Sequence, residues 1–445
     1  MSYDYSENIL VQESAGHLLQ NELGWEVAFA YNTEKLGENG TFGRKSYKEI
    51  LLTRYFREAL LRLNPWITPA QMDEAQRTLE YRLSTASLLQ INEEKYFLIR
   101  DGIPVTVKKP GGRTETKYAT VIDFRNPDNN HFLAIKELKI HGDLYRRRTD
   151  IVGFVNGIPL LFIELKKNTV DVQDAYTNNY TDYLDTIPHL FYYNAFLILS
   201  NGTEAKVGTL GSKYEFFHEW KRLSEQEQGS VALETMLRGI CKKENFLDLL
   251  ENFILFDHSG GHTAKILARN HQYLGVNEAV KAYAGRKLND GKLGVFWHTQ
   301  GSGKSLSMVF FAKQLQQAMS SPTIVVLTDR NDLDGQLYRQ FACCRDFLRQ
   351  TPVQAESRAH LRELLAGREA NGIFFSTMQK FEESEEPLSI RRNIVVMADE
   401  AHRSQYGLEE RVRMVTDADG VTQAKVVIGA ARLVRNALPN ATYIG

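Results

Sequence analysis

The chain has 445 residues, 43% hydrophobic and 24% charged, which is enough for about two or three globular domains with cores of their own. Its formal net charge of −1 excludes a globally basic nucleic-acid-binding protein but permits local basic patches. The 3 cysteines show neither metal-ligand spacing nor a disulfide framework, which indicates a reducing compartment. There is no signal sequence, and no apolar run reaches the ~18 residues of a membrane span. We therefore expect a cytoplasmic protein that does not associate with membranes.

The first part of the chain mixes helical and strand-like segments. Helical spacing or composition predicts helices over residues 7–23, 47–63, 69–89, 170–185 and 214–255. Short β-rich segments predict strands over residues 26–31, 117–122, 131–140, 151–155, 160–164 and 191–199. Helices beside such strands indicate a mixed α/β domain. The loop His258-Ser259-Gly260-Gly261 marks its end, so we predict domains at 1–257 and 258–445.

The stretch RRRTDIVGFVNGIPLLFIELKK, residues 146–167, carries charged groups at the ends of two apolar segments. Asn156-Gly157 between them is a strong hairpin signal. Glu164 and Lys166 share one face of their strand because they are two residues apart. The segment before Glu164 is almost wholly apolar, which indicates a central strand that delivers its charged end into a cleft.

The loop of this hairpin decides whether Asp150 joins Glu164. A two-residue turn pairs Val155 with Ile158, and in that register Asp150 turns away from Glu164. A three-residue loop pairs Val155 with Pro159 and puts Asp150 opposite Glu164, with Cβ atoms about 5 Å apart. We predict the three-residue loop.

Two carboxylates this close to each other suit one hard cation such as Mg²⁺. Lys166 would then help to place an attacking water and offset charge on a phosphate. Arg146, Arg147 and Arg148 lie directly before Asp150, so they are candidates for phosphate contact. The alternative for the tripeptide Glu-x-Lys is a solvated strand edge with a cross-strand salt bridge.

The second part of the chain alternates short apolar strands with polar loops and helices. The strands are predicted over residues 293–297, 323–327, 373–376 and 394–398. This alternation predicts a parallel sheet with ligands at the carboxyl ends of its strands.

A phosphate-binding loop follows the first of these strands. The residues HTQGSGKS lead into a predicted helix over residues 304–319, whose N-terminus and loop amides would hold phosphates. Lys304 would reach the terminal phosphates and Ser305 would bind Mg²⁺. His298 stands where the general pattern has its first Gly. The loop residues predicted to bind ATP are Thr299, Gly301, Ser302, Gly303, Lys304 and Ser305.

A second nucleotide motif follows the strand predicted over residues 394–398. Asp399 would hold Mg²⁺ through its coordination shell, and Glu400 would polarise the water that attacks the γ-phosphate. Two adjacent acids after a buried strand are costly unless they meet a cation or hydrogen-bond donors.

These motifs resemble those of superfamily 2 helicases and translocases, which carry DEAH after such a strand and TQGSGKS upstream. By this resemblance Gln272, in the segment Arg269-Asn270-His271-Gln272, is the glutamine that reads adenine. Segments after two further strands resemble strand-tracking motifs. Their DNA-binding candidates are Thr328, Arg330, Thr377 and Lys380.

The first half, with Asp150, Glu164 and Lys166, resembles the PD-(D/E)xK nuclease core. A nuclease followed by this motor is the order found in the restriction (R) subunit of type I restriction-modification enzymes, and the resemblance covers essentially the whole chain. It implies a mixed-sheet restriction-endonuclease-like α/β domain followed by a parallel-sheet RecA-like motor lobe. It also implies that Asp150 and Glu164 bind Mg²⁺ and that Lys166 assists hydrolysis.

That family also carries a Gln-x-x-x-Tyr element on the helix after the nuclease core. The nearest match here is Asn179 with Tyr183, so Asn replaces Gln, and Tyr183 becomes a DNA-binding candidate. Gln173 is an alternative partner, although its nearest tyrosine, Tyr176, lies at another spacing.

In this family the segment that resembles residues 437–445 runs on into the next motor motif, whereas this sequence stops at Gly445. We therefore expect a truncated product or an expressed fragment without the second motor lobe and the methyltransferase-docking region, which would bind ATP weakly and not translocate.

The function implied by the resemblance is Mg²⁺-dependent cleavage of double-stranded DNA, coupled to ATP-driven translocation in the full complex. The implied partners are double-stranded DNA and the specificity and methyltransferase subunits of the same system. One alternative is a nuclease-helicase of DNA repair, and a second is a catalytically inert DNA-binding or assembly piece. The recognition sequence belongs to the specificity subunit in this family.

Overall fold

The computed structural model divides the chain into two compact units, Met1–Asn270 and His271–Gly445. The structure describes residues 7–110, 112–229, 232–258, 261–297, 299, 301–319, 321–328, 335–368, 370–381, 386–399, 411–416, 422–427 and 430–445. Within these residues, no helix has both the length and the apolar character that crossing a membrane requires.

The first unit combines strands and helices, as the sequence predicted. Its strands are β1 (Glu26–Phe29), β2 (Ile103–Lys108), β3 (Thr114–Ala119), β4 (Phe132–Lys136), β5 (Lys139–His141), β6 (Arg146–Arg148), β7 (Ile151–Val155), β8 (Ile158–Leu165), β9 (Phe196–Ser200), β10 (Ala205–Gly208), β11 (Ile254–Asp257) and β12 (Ala264–Leu267). Its helices are α1 (Glu7–Asn21), α2 (Thr53–Leu63), α3 (Pro69–Glu80), α4 (Leu88–Asp101), α5 (Val172–Asp174), α6 (Thr181–Thr186), α7 (Leu233–Ile240) and α8 (Lys243–Asn252).

A mixed sheet in the order β1-β4-β7-β8-β9-β10 forms the centre of this unit. The β1-β4 and β8-β9 pairs are parallel, and the other neighbours are antiparallel. Every residue of β7 and β8 is buried, so these strands are covered on both faces and their apolar composition follows from their position. The predicted central strand with a charged carboxyl end is therefore β8.

Predicted helices of this unit differ from the observed ones at three places. The segment predicted to be helical over 214–255 contains two separate helices, α7 and α8, and its last two residues belong to β11. The helix predicted over 47–63 begins at Thr53, and the amide of Leu52 instead donates to the Gly157 carbonyl at 2.9 Å, so this segment supports the β7-β8 turn. The helix predicted over 69–89 ends at Glu80, residues 81–87 are not helical, and α4 begins at Leu88. Ser87 opens α4 with a capping box of its own, which starts a new helix in place of continuing α3.

The predicted domain boundary lies earlier than the observed division between the units. The loop after Asp257 joins β11 to β12, which pair antiparallel from Ile254 and Leu267 onward. Because the two strands share a ladder, both belong to the first unit, which extends to Asn270.

The second unit carries the parallel sheet that the alternating pattern predicted. Its strands are β13 (Lys292–Gly294), β14 (Thr323–Thr328), β15 (Val353–Gln354), β16 (Ile373–Thr377), β17 (Ile394–Ala398), β18 (Arg411–Thr416), β19 (Thr422–Val427) and β20 (Thr442–Ile444). Its helices are α9 (Asn270–Ala284), α10 (Lys304–Ala318), α11 (Gln336–Cys343), α12 (Arg345–Leu348), α13 (Arg358–Ala366) and α14 (Ala430–Ala437). The sheet order is β13-β20-β17-β14-β16-β15, with all pairs parallel, and β18 and β19 form a separate hairpin.

Candidate metal centre and nucleotide site

The turn between β7 and β8 has two residues, so the predicted three-residue loop is wrong. Val155 pairs with Ile158, and Asn156 and Gly157 have φ angles of 51° and 77°. Two successive left-handed residues are what a type I′ hairpin turn requires, and Asn-Gly is its preferred sequence.

Asp150 nevertheless lies opposite Glu164, because the ladder contains a β-bulge. The register shifts by one residue between Gly153 and Phe154, which makes Leu160 the extra residue of β8. From there Ile151 pairs with Ile163, and the same register places Asp150 opposite Glu164. The predicted pairing of the two carboxylates is thus reached through a bulge.

Both carboxyl groups of this pair lie in a poorly solvated place. Glu164 is 2% exposed, and burial together with the nearby Asp150 charge raises the pKa of its carboxyl well above the ordinary value. Burial likewise raises the pKa of Asp150 to about 6, although its Oδ2 accepts a hydrogen bond from the Leu165 amide at 2.7 Å. A buried and a half-buried carboxylate that face each other favour a cation between them.

Lys166 and Asn179 complete this side of the centre. The Lys166 Nζ lies 3.7 Å from Glu164 Oε1 and donates to Asn179 Oδ1. Asn179 belongs to a π-helical turn, Ala175–Tyr180, that joins α5 to α6, and such turns occur often at functional sites. Gln173 is exposed, so the described contact to the lysine comes from Asn179.

Tyr183 lies one helical turn after Asn179. Its hydroxyl donates to the Arg148 carbonyl at 3.1 Å, and burial raises the pKa of this hydroxyl. Tyr183 is therefore engaged with the strand that leads to Asp150. DNA contact by Tyr183 stays a prediction.

The three arginines before Asp150 lie in different surroundings. Arg146 is exposed. Arg147 forms a bidentate ion pair with Asp182, at 2.5 and 2.8 Å. Arg148 is 3.0 Å from Glu137 Oε2 and stacks 4.7 Å above the ring centre of Tyr31. Phosphate contact by these arginines also stays a prediction.

One side chain that the sequence did not single out, that of Gln12, lies against the main chain of Asp150. Gln12 of α1 is 5% exposed and donates to the Asp150 carbonyl at 3.1 Å and to Glu137 Oε1 at 3.4 Å. The signal that could have identified Gln12 is a polar residue within the apolar stripe of a helix. The next residue of α1, Glu13, has different surroundings: its side chain is 57% exposed and pairs with Lys136 at 2.6 Å.

The arrangement fits a hard divalent cation held by two carboxylates. Among the described residues there is no cluster of three His, Cys, Asp or Glu groups that could hold a metal ion. Mg²⁺, however, is commonly bound by one or two carboxylates together with water and substrate phosphates. Glu164 Oε2 is buried and has no hydrogen-bond partner within the described part of the chain, which leaves it available as a ligand.

In the second unit the predicted phosphate loop opens α10. Gly301 and Gly303 have φ angles of 79° and 88°, in the region that favours glycine. The Ser302 hydroxyl and amide both donate to the Thr299 carbonyl, at 2.7 and 3.1 Å. Ser305 is half-buried in the first turn of α10. Phosphate binding by the described loop residues and the N-terminus of α10 stays a prediction.

The two nucleotide motifs meet at the end of β17. Lys304 Nζ lies 2.6 Å from Asp399 Oδ1, and the Asp399 amide donates to the Leu327 carbonyl at 2.8 Å. Gln272 is 2% exposed and its amide donates to the Gly303 carbonyl at 2.9 Å. A lysine next to an aspartate is an arrangement in which the lysine can contact a nucleotide phosphate while the aspartate holds the associated Mg²⁺. Adenine recognition by Gln272 stays a prediction.

The remaining motor candidates lie at the same edge of the sheet or outside the described residues. Thr328 ends β14 and Thr377 ends β16, and the two residues pair with each other. Lys380 donates to the Ala355 carbonyl. Glu400 and Arg330 lie outside the described residues.

Comparisons with known proteins agree with the two units. Residues 4–216 match the family described as "Type I restriction enzyme R protein N terminus", and residues 271–445 match the family described as "SWI2/SNF2 ATPase". The type I restriction enzyme HindI endonuclease subunit of Haemophilus influenzae is 39% identical in an alignment of 442 positions that covers 95% of this chain and 41% of that protein. The putative type I restriction enzyme MjaIXP endonuclease subunit of Methanocaldococcus jannaschii is 30% identical in an alignment of 475 positions that covers 99% of this chain and 42% of that protein.

The chain therefore spans about two fifths of the length of these relatives. Its residues 4–216 are similar to the N-terminal part of type I restriction enzyme R proteins, and its residues 271–445 are similar to SWI2/SNF2 ATPases.

Proposed function

We propose that this chain supplies the Mg²⁺-dependent DNA endonuclease centre and the first ATP-binding motor lobe of a type I restriction enzyme. The observation that carries the nuclease assignment is the opposed pair of carboxylates, half-buried Asp150 and buried Glu164, with Lys166 beside it. We assign the first unit, Met1–Asn270, to the endonuclease domain and the second unit, His271–Gly445, to the motor lobe.

In the nuclease centre the two carboxylates and the lysine have different tasks. Asp150 and Glu164 would hold Mg²⁺, and the free Oε2 of Glu164 supports this role. Bound Mg²⁺ polarises the phosphate and stabilises the charge that develops on its oxygens. Lys166 carries a positive charge beside Glu164, where it can orient a water or contact a phosphate oxygen, and Asn179 restricts its side chain.

In the motor lobe Lys304 would contact the terminal phosphates of ATP. Ser305 and Asp399 would hold the associated Mg²⁺, and Glu400 would orient the attacking water. ATP binding would replace the Lys304–Asp399 contact with contacts to phosphate and Mg²⁺. In the complete enzyme ATP hydrolysis would move double-stranded DNA, with the specificity and methyltransferase subunits as partners.

Nicking of supercoiled plasmid with Mg²⁺ and without ATP tests the nuclease assignment. We expect Lys166→Ala to abolish nicking, because the positive charge beside Glu164 is lost. Lys167→Ala is the matched control, since Lys167 is the next residue and is exposed. Equal nicking by all three proteins would contradict the role of Lys166.

A separate measurement keeps the metal centre testable if the chain cuts DNA only within a larger complex. Mg²⁺ should raise the melting temperature of the wild-type chain and have less effect on Asp150→Asn. An equal increase in both proteins, together with no nicking, would refute the proposed centre.

Binding of a fluorescent ATP analogue tests the motor assignment. Lys304→Ala should weaken binding by about tenfold or more, because the contact to the terminal phosphates is lost. Lys287→Ala, at an exposed lysine of the same unit, should leave binding unchanged. Unchanged binding by Lys304→Ala would contradict this assignment.

A further inference from the structure

We propose that Gln12 is a positioning residue of the nuclease centre, which fixes the main chain of Asp150 so that its carboxylate faces Glu164. The inference rests on the proposed nuclease function. It concerns how α1, more than 100 residues away in sequence, controls the metal centre.

The first argument is the contact between Gln12 and the Asp150 main chain. The Asp150 carbonyl accepts two hydrogen bonds, one from Gln12 Nε2 at 3.1 Å and one from the Glu137 amide at 2.9 Å. Gln12 is 5% exposed, so water offers little replacement for its hydrogen bond. The peptide group of Asp150 is thereby held from two elements, α1 and the segment after β4.

The second argument is the conformation of Glu137. This residue has a φ angle of 58°, which is uncommon and unfavourable for a residue other than glycine. Its carboxylate accepts from Gln12 at Oε1, at 3.4 Å, and from Arg148 at Oε2, at 3.0 Å. Gln12 therefore helps to keep Glu137 in the conformation that turns its amide toward Asp150.

The third argument is that the carboxylate of Asp150 is held at its other end. Its Oδ2 accepts from the Leu165 amide at 2.7 Å. With the carbonyl fixed by Gln12 and the carboxylate fixed by β8, the side chain of Asp150 has little freedom to leave Glu164. Removal of a group that orients a metal ligand typically lowers metal affinity or activity by about 10–100-fold.

A purely structural role for Gln12 predicts a different result. In that case its loss would lower the melting temperature of the chain and leave the metal affinity unchanged. Gln12→Met separates the two roles, because it keeps a long unbranched side chain and removes both amide hydrogens. Gln12→Glu is a second, nearly isosteric variant that replaces the donors with acceptors.

The experiment is a titration of the full chain with Mn²⁺, followed by electron paramagnetic resonance without DNA or nucleotide. Subtraction of the Asp150→Asn titration isolates binding at the nuclease centre. We expect Gln12→Met and Gln12→Glu to weaken this binding by about tenfold or more. Gln20→Met, at an exposed glutamine of the same helix, should change it by less than about twofold.

A metal-free readout accompanies the titration. Hydrogen exchange at the Leu165 amide reports on its bond to Asp150 Oδ2, so exchange should be faster in Gln12→Met than in Gln20→Met. Mn²⁺ affinity within about twofold of wild type in a folded Gln12→Met or Gln12→Glu variant would overturn the inference and leave the proposed function intact. Wild-type binding equal to that of Asp150→Asn would overturn the proposed function and the inference with it.

Discussion

Asp150 lies opposite Glu164 because the bulge at Leu160 compensates for the register that the two-residue turn sets. Without the extra residue, a two-residue turn would put Asp150 on the other face of the hairpin. The Leu160 carbonyl accepts from the Ala195 amide at 2.7 Å, so the segment that enters β9 holds the bulge in place. The alignment of the two carboxylates thus depends on three strands.

Removal of the Glu164 charge should stabilise the metal-free chain. Glu164 is buried next to Asp150, and its Oε2 has no hydrogen-bond partner among the described residues, so the charged pair destabilises the fold until a cation binds. We expect Glu164→Gln to raise the free energy of unfolding by about 1–2 kcal/mol in the presence of a chelator. Urea unfolding measures this change, with Glu215→Gln at a side chain 65% exposed as the control. A loss of stability in Glu164→Gln would contradict the expectation.

The stabilisation by Mg²⁺ should increase with pH. Burial raises the pKa of Asp150 from 3.8 to about 6, so the folded state holds this proton more tightly than the unfolded state. The stability that this protonation contributes is complete below pH 3.8 and is lost as the pH rises through about 6. Above that pH the ionised Asp150 carboxylate beside Glu164 needs a cation. Melting temperatures at pH 4.5, 5.5 and 7, with and without Mg²⁺, should show an increasing difference, and a difference independent of pH would contradict the assignment.

The parts of the site that could be predicted from the sequence are those encoded within a few neighbouring residues. The glycines of the phosphate loop, the apolar strand before Glu164 and the two-residue spacing to Lys166 need no tertiary information. The β17 strand before Asp399 was predicted with its observed bounds for the same reason.

The parts that could not be predicted depend on distant contacts. Gln12 and Asp150 are 138 residues apart in sequence, and nothing local to either residue indicates that they touch. The bulge at Leu160 requires its contact with β9, and the left-handed conformation of Glu137 requires the partners of its carboxylate. The Asn156-Gly157 pair did indicate a two-residue turn, but it could not indicate the later bulge.

A side chain at Gly157 should destabilise the nuclease unit strongly. Gly157 has a φ angle of 77°, and a Cβ there would lie 2.5 Å from the Leu52 carbonyl oxygen and 2.9 Å from the Phe56 amide. We expect Gly157→Ala to lower the free energy of unfolding by about 2–4 kcal/mol. Gly112→Ala is the matched control, because its φ angle is 80° and no atom lies within 4 Å of the added Cβ. An equal loss of unfolding free energy in the two variants would show that backbone strain alone explains the effect and that the close contact of the added Cβ with Leu52 and Phe56 does not contribute.

Loss of the Asn179 side chain should reduce catalysis more than it reduces stability. Asn179 is half-buried and accepts from the Lys166 ammonium, so its removal frees the lysine to leave Glu164. We expect Asn179→Ala to lower the rate of plasmid nicking by about tenfold or more at saturating Mg²⁺, with a melting temperature close to that of wild type.

Asn178→Ala provides the comparison for this measurement, because Asn178 is the preceding residue of the same π-helical turn and is exposed. Its nicking rate should stay close to that of wild type. Asn179→Asp tests the contact further, since a carboxylate still accepts from Lys166 but adds a negative charge beside Glu164. If the contact to the ammonium is what matters, Asn179→Asp should retain more activity than Asn179→Ala. The reverse order would show that charge balance at Glu164 outweighs the positioning of Lys166.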